Sequence, residues 1–428
     1  MSVVNVGLLG FGVVGSSVAE LLDENRENIE RRAGSRVKIK RILVRDLERY
    51  RLKYPERRDL FTCDPEDIIG DPEITVIIEL MGGLEPASNY ITRALRKGKR
   101  VVTANKEVMS VDGERVFRAA EEGNTEVYFE GSVGGGIPII KPLKQSLAAN
   151  RITEIKGILN GTSNYILSNM SLEGLEFDEC LRKAQSLGYA EADPTADISG
   201  LDSARKLAIL ASIGFGARFT PRDVFCEGID GVAKEDIIYG KEFGWTLKLI
   251  GLARLDGDAV ELRVHPTFLP DTAPLASISG VTNAVSVKGH AVGEVMFSGP
   301  GAGGMATASA VISDLIEVVR DQLAGINNLG CTCYRSLKVK PSEDICTEYY
   351  IRLEVHDKPG VMAQVAGVMG TNNISLRWVL QKRNIGENAE IVFVTHRARE
   401  GNLRTALSEI KKLPSLVRIG NVIRVENG

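Results

Sequence analysis

Through the first 140 or so residues, short β-branched apolar runs alternate with stretches of helical period. VVNVGLL reads as a strand, residues 16–24 as a helix, VKIKRILV as a second strand, and TVIIEL, RVVTAN and EVYFEGSV as later strands. Helical stretches over residues 90–97 and 116–121 lie between them. A parallel sheet with crossover helices requires this alternation. Residues 1–137 therefore predict an α/β, doubly wound nucleotide-binding domain.

From residue 137 the period changes. A glycine-rich crossing, GSVGGGIPII, leads to a helix near 141–149, a strand ITEIKGIL, and helices near 164–171 and 178–187. A long helix over 201–213 follows, then two strand-like runs, LKLIGLARLDG and AVELRVHPTFL. SGPGAGGMATASAVISDLIEVVRDQ reads as a glycine turn feeding a helix, with residues 300–320 folding back to complete the first domain. This mixed pattern predicts an α+β domain over 138–320. Residues 321–347 carry little periodicity and read as a linker. Residues 348–428 run strand, helix (360–369), strand, strand, helix (403–411), strand, a ferredoxin-like βαββαβ order of a size that folds alone.

Length and composition narrow the class. A chain of 428 residues, 43% hydrophobic and 25% charged, has the balance of a globular protein with two or three domains. A formal net charge of −3 gives no footprint for nucleic acid or an anionic membrane. Six cysteines spread over the chain are too sparse for a disulfide framework and suit reduced thiols in the cytoplasm. GCTC lacks the CxxC spacing of a redox or zinc site, and the four histidines show no ligand spacing. Residues 3–22 are apolar, but no basic segment precedes them and glycines interrupt them, so they read as strand, turn and helix rather than a signal peptide. No other stretch reads as a membrane span.

Gly10-Phe11-Gly12-Val13-Val14-Gly15 is a GxGxxG placed directly after a strand and at a helix start. The first glycine makes the tight turn, the second lets the backbone approach a pyrophosphate, and the third lets helix and strand pack closely. The helix N-terminus then offers free N–H groups to the phosphates. Arg45 and Asp46 follow the second strand. An acidic residue there suits the ribose hydroxyls of NAD and an arginine the extra phosphate of NADP. Arg45 comes first, which favours NADP while leaving NAD open; Arg45 could also be one more solvated arginine of a basic stretch.

In GYAEADPTADISGLDSARKLAIL, Asp202 and Lys206 lie four apart on one predicted helix and share a face. Such pairs are commonly surface ion pairs. Here the lysine sits among Leu, Ala and Ile, so partial burial is expected, and Glu191, Asp193 and Asp197 crowd the preceding loop. Carboxylates around a lysine suit a substrate carrying an ammonium group and a hydroxyl to be deprotonated. Lys106, in TANKE, lies past a strand end of the first domain, where such sheets bind ligands. It could share the proton transfer or hold a substrate carboxylate; a helix-flanking surface lysine is the plainer alternative.

In order, GFGVVG, TANKEVMS, FEGSVGGGIPII, GILNGTSNYIL, GYAEADPTADISGLDSARKLAIL and SGPGAGGMATASAV closely resemble the blocks of homoserine dehydrogenase, over about residues 5–320. The resemblance implies a Rossmann-type domain and a catalytic and dimerisation domain. The implied reaction is reversible oxidation of L-homoserine to L-aspartate 4-semialdehyde with NADP or NAD, in threonine, methionine and isoleucine biosynthesis. It implies Lys206 as general acid/base with Lys106 as its partner. Substrate contacts from Glu191, Asp202, Asp197, Gly161, Thr162 and Tyr189 follow, as do cofactor contacts from the GFGVVG loop, Arg45, Thr103, Lys106 and Gly303. A sodium ion held by the carbonyls of Glu130, Val133, Gly135 and Ile137 is also implied; oxygen ligands suit such a hard cation. DKPGVMAQVAGVMGTNNISL resembles the opening of an ACT domain, which implies threonine as effector, acting through coupled sites. That domain could instead serve only oligomerisation, as a homodimer or homotetramer. No aspartate-kinase segment precedes the dehydrogenase blocks, which points to the monofunctional form.

Two rivals remain at this level. Aspartate-semialdehyde dehydrogenase needs a cysteine nucleophile, and no cysteine here neighbours a histidine in sequence. A non-catalytic amino-acid sensor with an inherited nucleotide domain would not need the lysine–carboxylate set, which is intact.

Overall fold

The computed structural model describes residues 3–327 and 330–426. Residues 328 and 329 of the expected linker, and 427 and 428 of the last segment, lie outside the described residues. The chain divides into two compact units.

The first unit comprises Met1–Ile155, Arg205–Asp223 and Asn283–Ser336. Its centre is a parallel sheet of β1 (Val3–Leu9), β2 (Arg36–Leu43), β3 (Phe61–Thr62), β4 (Ile74–Glu79), β5 (Arg100–Thr103) and β6 (Val127–Tyr128), ordered β3-β2-β1-β4-β5-β6. This is the doubly wound nucleotide-binding order. Fully buried Val6, Leu8, Ile42, Val76, Ile78 and Val102 make its core, as parallel strands covered on both faces require. The Gly304–Ala324 helix packs on the Val13–Glu24 helix, and a Cβ on Gly304 would stand 2.5 Å from Ser17 Oγ, so glycine permits the close approach. Thr282–Gly289 and Gly293–Pro300 form a strand pair that the apolar pattern did not reveal, because the second strand is largely exposed and weakly apolar.

Two expectations in this unit change. EVYFEGSV is a strand only at Val127–Tyr128 and then becomes a 3-10 turn, Glu130–Ser132. The buried Glu130 carboxylate collects the N–H groups of Ile139 (2.6 Å), Ile140 (2.8 Å) and Lys141 (2.8 Å), which folds the glycine-rich crossing back on itself. The helix expected near 141–149 is one wide turn, Pro142–Ser146.

The second unit comprises Lys156–Ala204, Val224–Thr282 and Leu337–Gly428. Trp245–Asp256 and Ala259–Pro270 form an antiparallel hairpin without a register shift. The C-terminal segment is the expected βαββαβ unit: Leu416–Val425, Cys346–His356, Asn388–Thr395 and Leu376–Ile385 are neighbours in that order, all antiparallel. The Val361–Thr371 and Glu400–Ile410 helices cover this sheet around Tyr349, Ile351, Leu353 and Phe393. Of the expected sites, Lys106 and Lys206 fall in the first unit and the Glu191–Asp202 carboxylates in the second, with Asp202 and Lys206 on one helix, Leu201–Phe215. Among the described residues no helix is long and apolar enough to cross a membrane.

Candidate active site

The turn after β1 follows from its glycines. Gly10 has φ +98°, and a Cβ there would lie 2.8 Å from the Leu80 carbonyl oxygen. A Cβ on Gly15 would meet the Gly10 oxygen at 2.4 Å. Gly12 has nothing within 4 Å of its absent Cβ, so the space above it is open to a ligand rather than filled by protein. Phe11 is buried edge-on against Tyr54 (5.0 Å) and Phe61 (5.4 Å) and fixes the loop from beneath.

A cavity of about 540 Å³ opens over this turn and is lined by Gly10, Phe11, Gly12, Arg45, Asp46 and Arg49. Asp46 accepts the Arg49 N–H (3.1 Å) and caps the helix that follows β2. Its carboxylate is thus engaged with a helix terminus, while two guanidinium groups line the same cavity. Arg49 was not anticipated; its signal was only the i,i+4 spacing from Arg45.

A second cavity, about 240 Å³, is lined by Val14, Lys106, Lys206, Ser132 and the loops Gly134–Gly135 and Gly301–Ala302. Lys106 opens the Lys106–Val111 helix at the C-terminal edge of β5. Asn105 holds it there: its Oδ1 accepts the N–H groups of Glu107 and Val108 (both 3.1 Å), and its Nδ2 donates to the Gly83 carbonyl (2.8 Å). Lys206 is 7% exposed on the apolar face of the Leu201–Phe215 helix. The structure thus brings Lys106 and Lys206, far apart in sequence, to one cavity. Arg205 adds a brace, donating to Glu107 at 3.1 Å.

Other expected cofactor residues fall differently. Val13 is exposed on the first helical turn, and Gly303 caps the Gly304–Ala324 helix beside the lining residues Gly301 and Ala302. Thr103 is fully buried; its hydroxyl donates to Glu79 (2.6 Å) and accepts from the Asn105 N–H (2.9 Å). Glu79 is itself buried, and burial pushes its carboxyl above the usual range. Thr103 therefore ties the ends of β4 and β5 together beneath Lys106.

In the second unit the carboxylates are organised by a residue that sequence reasoning passed over. Asn160 Nδ2 donates to Asp197 Oδ1 (2.7 Å) and Asp202 Oδ2 (2.9 Å), while its Oδ1 accepts the Ser163 N–H (2.8 Å) and caps the Gly161–Glu173 helix. Both of its amide protons are used, and two acids are held side by side. Gly161 and Thr162 follow at the helix start, and the Thr162 hydroxyl donates to the Tyr189 carbonyl (2.6 Å). Tyr189 packs its ring against Tyr165 at 5.0 Å. Glu191 is exposed, its carbonyl taken by Gln185 at 3.2 Å. The available signal for Asn160 was its cap position before GTSN.

The loop implied to hold sodium turns through Gly134 and Gly135, with φ +74° and +52°. Val133, Gly135 and Ile137 are buried, and among the described residues no hydrogen bond to their carbonyl oxygens is found. Three buried carbonyls without donors suit a hard cation that prefers oxygen, whereas the fourth of the implied set, that of Glu130, already accepts the Val133 N–H at 3.5 Å. Among the described residues no group of three or more His, Cys, Asp or Glu side chains could hold a metal ion.

The family models that match this chain are the NAD binding domain of homoserine dehydrogenase over residues 10–130, homoserine dehydrogenase over 138–316, and the ACT domain over 349–415. The chain is 46% identical to the homoserine dehydrogenase of Synechocystis sp., over 99% of each chain. The crystal structure of a homoserine dehydrogenase from Thiobacillus denitrificans superposes with a TM-score of 0.94 at 41% identity, covering 100% of this chain and 99% of that one. A hyperthermophilic archaeal homoserine dehydrogenase in complex with NADPH matches 77% of this chain and 100% of its own, with a TM-score of 0.65 and 26% identity.

Proposed function

The chain belongs to the homoserine dehydrogenase family, NAD(P)-dependent oxidoreductases acting on a CH–OH group, and from that premise we propose how its own residues carry the reaction. The observation that supports the reading most is the meeting of Lys106 and Lys206 at one cavity beside the glycine turn. Bound NAD(P)⁺ supplies the hydride acceptor for the hydroxyl-bearing carbon of L-homoserine. Lys206 takes the hydroxyl proton as the carbonyl of L-aspartate 4-semialdehyde forms and returns it in the reverse direction. Lys106 shares this transfer and steadies the substrate oxygen. Asp197 and Asp202, held side by side by Asn160, together with Glu191, bind the substrate ammonium group. Gly161, Thr162 and Tyr189 shape the surrounding backbone.

Arg45 and Arg49 favour NADP, because two guanidinium groups suit the extra phosphate and Asp46 is occupied as a cap. The carbonyls of Glu130, Val133, Gly135 and Ile137 would hold sodium, which would stiffen the loop that lines the lysine cavity. Threonine is the proposed effector of the ACT domain, in a homodimer or homotetramer acting in the cytoplasm. The test is reduced-nicotinamide absorbance with L-homoserine and either cofactor, with and without threonine, in sodium and in sodium-free buffer. Lys206→Ala is expected to lose roughly 10²–10⁴-fold in kcat. Turnover unchanged in Lys206→Ala would remove the proton-transfer role.

A further inference from the structure

The spacing of Cys331-Thr332-Cys333 carries no metal or redox signature, and the proposed reaction does not use these residues. In the structure these thiols meet groups that set them apart from the other cysteines. Cys331 Sγ accepts from Arg218 Nη2 at 3.1 Å and from the Cys333 N–H at 3.4 Å. The Cys333 thiol donates to the Ser212 carbonyl, 3.8 Å away on the helix that carries Lys206.

Both cations are anchored. Arg218 stacks over the Phe117 ring at 5.4 Å, and Lys144 lies 5.9 Å from the Phe117 centroid and 5.7 Å from that of Phe129. Lys144 also donates to the Gly330 carbonyl at 3.2 Å. The small cavity beside the thiols is otherwise walled by apolar side chains and by Ser212 and Thr332, and among the described residues no carboxylate lines it. A thiolate here would be surrounded by donors and positive charge, the setting that activates cysteines.

We propose that Cys331 and Cys333 form a thiol–disulfide modification site, with Cys331 the attacking thiolate and Cys333 the resolving thiol, that takes low-molecular-weight disulfides. In the first step Cys331 S⁻ attacks one sulfur of the disulfide, forming a mixed disulfide on Cys331 and releasing one thiolate. In the second, Cys333 loses its proton to solvent and attacks the Cys331 sulfur. The second thiolate leaves, so two thiols of the protein are oxidised and one small disulfide is reduced to two thiols. The Tyr334 N–H to Thr332 carbonyl bond (3.1 Å) bends the segment around Cys333. The directions of titration agree with these roles. The neighbouring Cys333, with Arg218 and Lys144 beyond it, lowers the Cys331 thiol against the opposing effect of burial, while the closeness of Cys331 together with burial raises that of Cys333. Burial pushes Cys180 and Cys226 up to about 11, the opposite direction.

The proposal is independent of the catalytic reading, because its readout is thiol chemistry. Reduced full-length protein is exposed to excess glutathione disulfide, quenched with an alkylating reagent, and mapped by peptide mass. An internal Cys331–Cys333 disulfide is expected in the wild type, whereas Cys333→Ser should stop at a glutathione adduct on Cys331. With limiting iodoacetamide, the alkylation rate of Cys331 should rise with pH around a midpoint well below the ordinary ~8.5, and Arg218→Met should move that midpoint up. Recovery of both thiols in the reduced state, an adduct on Cys333 in place of Cys331, or a Cys331 midpoint at or above the ordinary value would each overturn it.

Discussion

Asn160 joins helix capping to the two carboxylates proposed to bind substrate in one amide. Removing the whole side chain would confuse the two roles, so Asn160→Ser is the informative change. A serine can still cap the Gly161–Glu173 helix, but it cannot reach both Asp197 and Asp202, which Asn160 holds at 2.7 and 2.9 Å. The two acids would then repel each other or take up a proton. We predict a melting temperature close to wild type with KM for homoserine raised several-fold and kcat less affected. An unchanged KM would mean the bridge is structural only. His265 carries a second residue-level prediction. It is fully buried, its Nδ1 shared between the Pro266 carbonyl (3.0 Å) and the Thr267 hydroxyl (2.9 Å). Burial, with Arg424 and Arg263 nearby, holds its pKa well below the usual value. The neutral ring is therefore favoured in the folded state. Its contribution is present above the unfolded pKa of ~6.5 and is lost as pH falls from there toward the folded value. Thermal melts between about pH 7 and 5 should fall more steeply for wild type than for His265→Gln, whatever the offset between them at neutral pH; parallel curves would exclude this role.

At the scale of elements, the glycine turn separates fold from function. Gly15→Ala would press a methyl against the Gly10 carbonyl, 2.4 Å away, and should destabilise the first β–α unit. Gly12→Ala meets no protein atom, and its backbone (φ −76°, ψ −153°) is open to alanine. We predict that Gly12→Ala folds with a normal melting temperature but binds NAD(P) much more weakly, read as a large rise in cofactor KM. Normal cofactor affinity would place the pyrophosphate elsewhere. This turn was legible in the sequence because its requirements are local: a strand, three glycines at fixed spacing and a helix. The long Asp202–Lys206 helix was legible for the same reason. The failures were tertiary. EVYFEGSV has strand composition, but Glu130 is drawn to N–H groups nine to eleven residues later, and no periodicity encodes that. Asn160 and Arg49 acquire their places only when distant segments fold together, so their residue types alone pointed nowhere.

At the scale of the molecule, the second unit holds the carboxylate loop and the ACT domain in one body, and an ion pair reaches from the last ACT strand toward that loop. Arg424, on the last strand, donates through Nη2 to Glu400 (2.8 Å) and through Nη1 to Glu227 (2.7 Å). Glu400 also accepts the Tyr349 hydroxyl (2.8 Å) from the first ACT strand. Beyond Glu227, the Ile229 N–H donates to the Ile198 carbonyl (2.8 Å), one residue from Asp197. A displacement of the ACT sheet thus has a contiguous hydrogen-bonded route to an acid proposed to hold the substrate ammonium. Contiguity alone is not coupling, and mutation separates the two. Glu227→Gln weakens the charged link without touching the substrate residues or the ACT core, so turnover without effector should stay near wild type. If threonine acts through this route, its half-inhibiting concentration should rise in Glu227→Gln by several-fold, within the roughly 5–150-fold span of typical allosteric coupling. By linkage, bound homoserine should then shift threonine affinity less in the variant than in wild type. Inhibition of Glu227→Gln at the wild-type threonine concentration would show that the Arg424–Glu227 pair only fastens the domain, and that regulation runs through another contact.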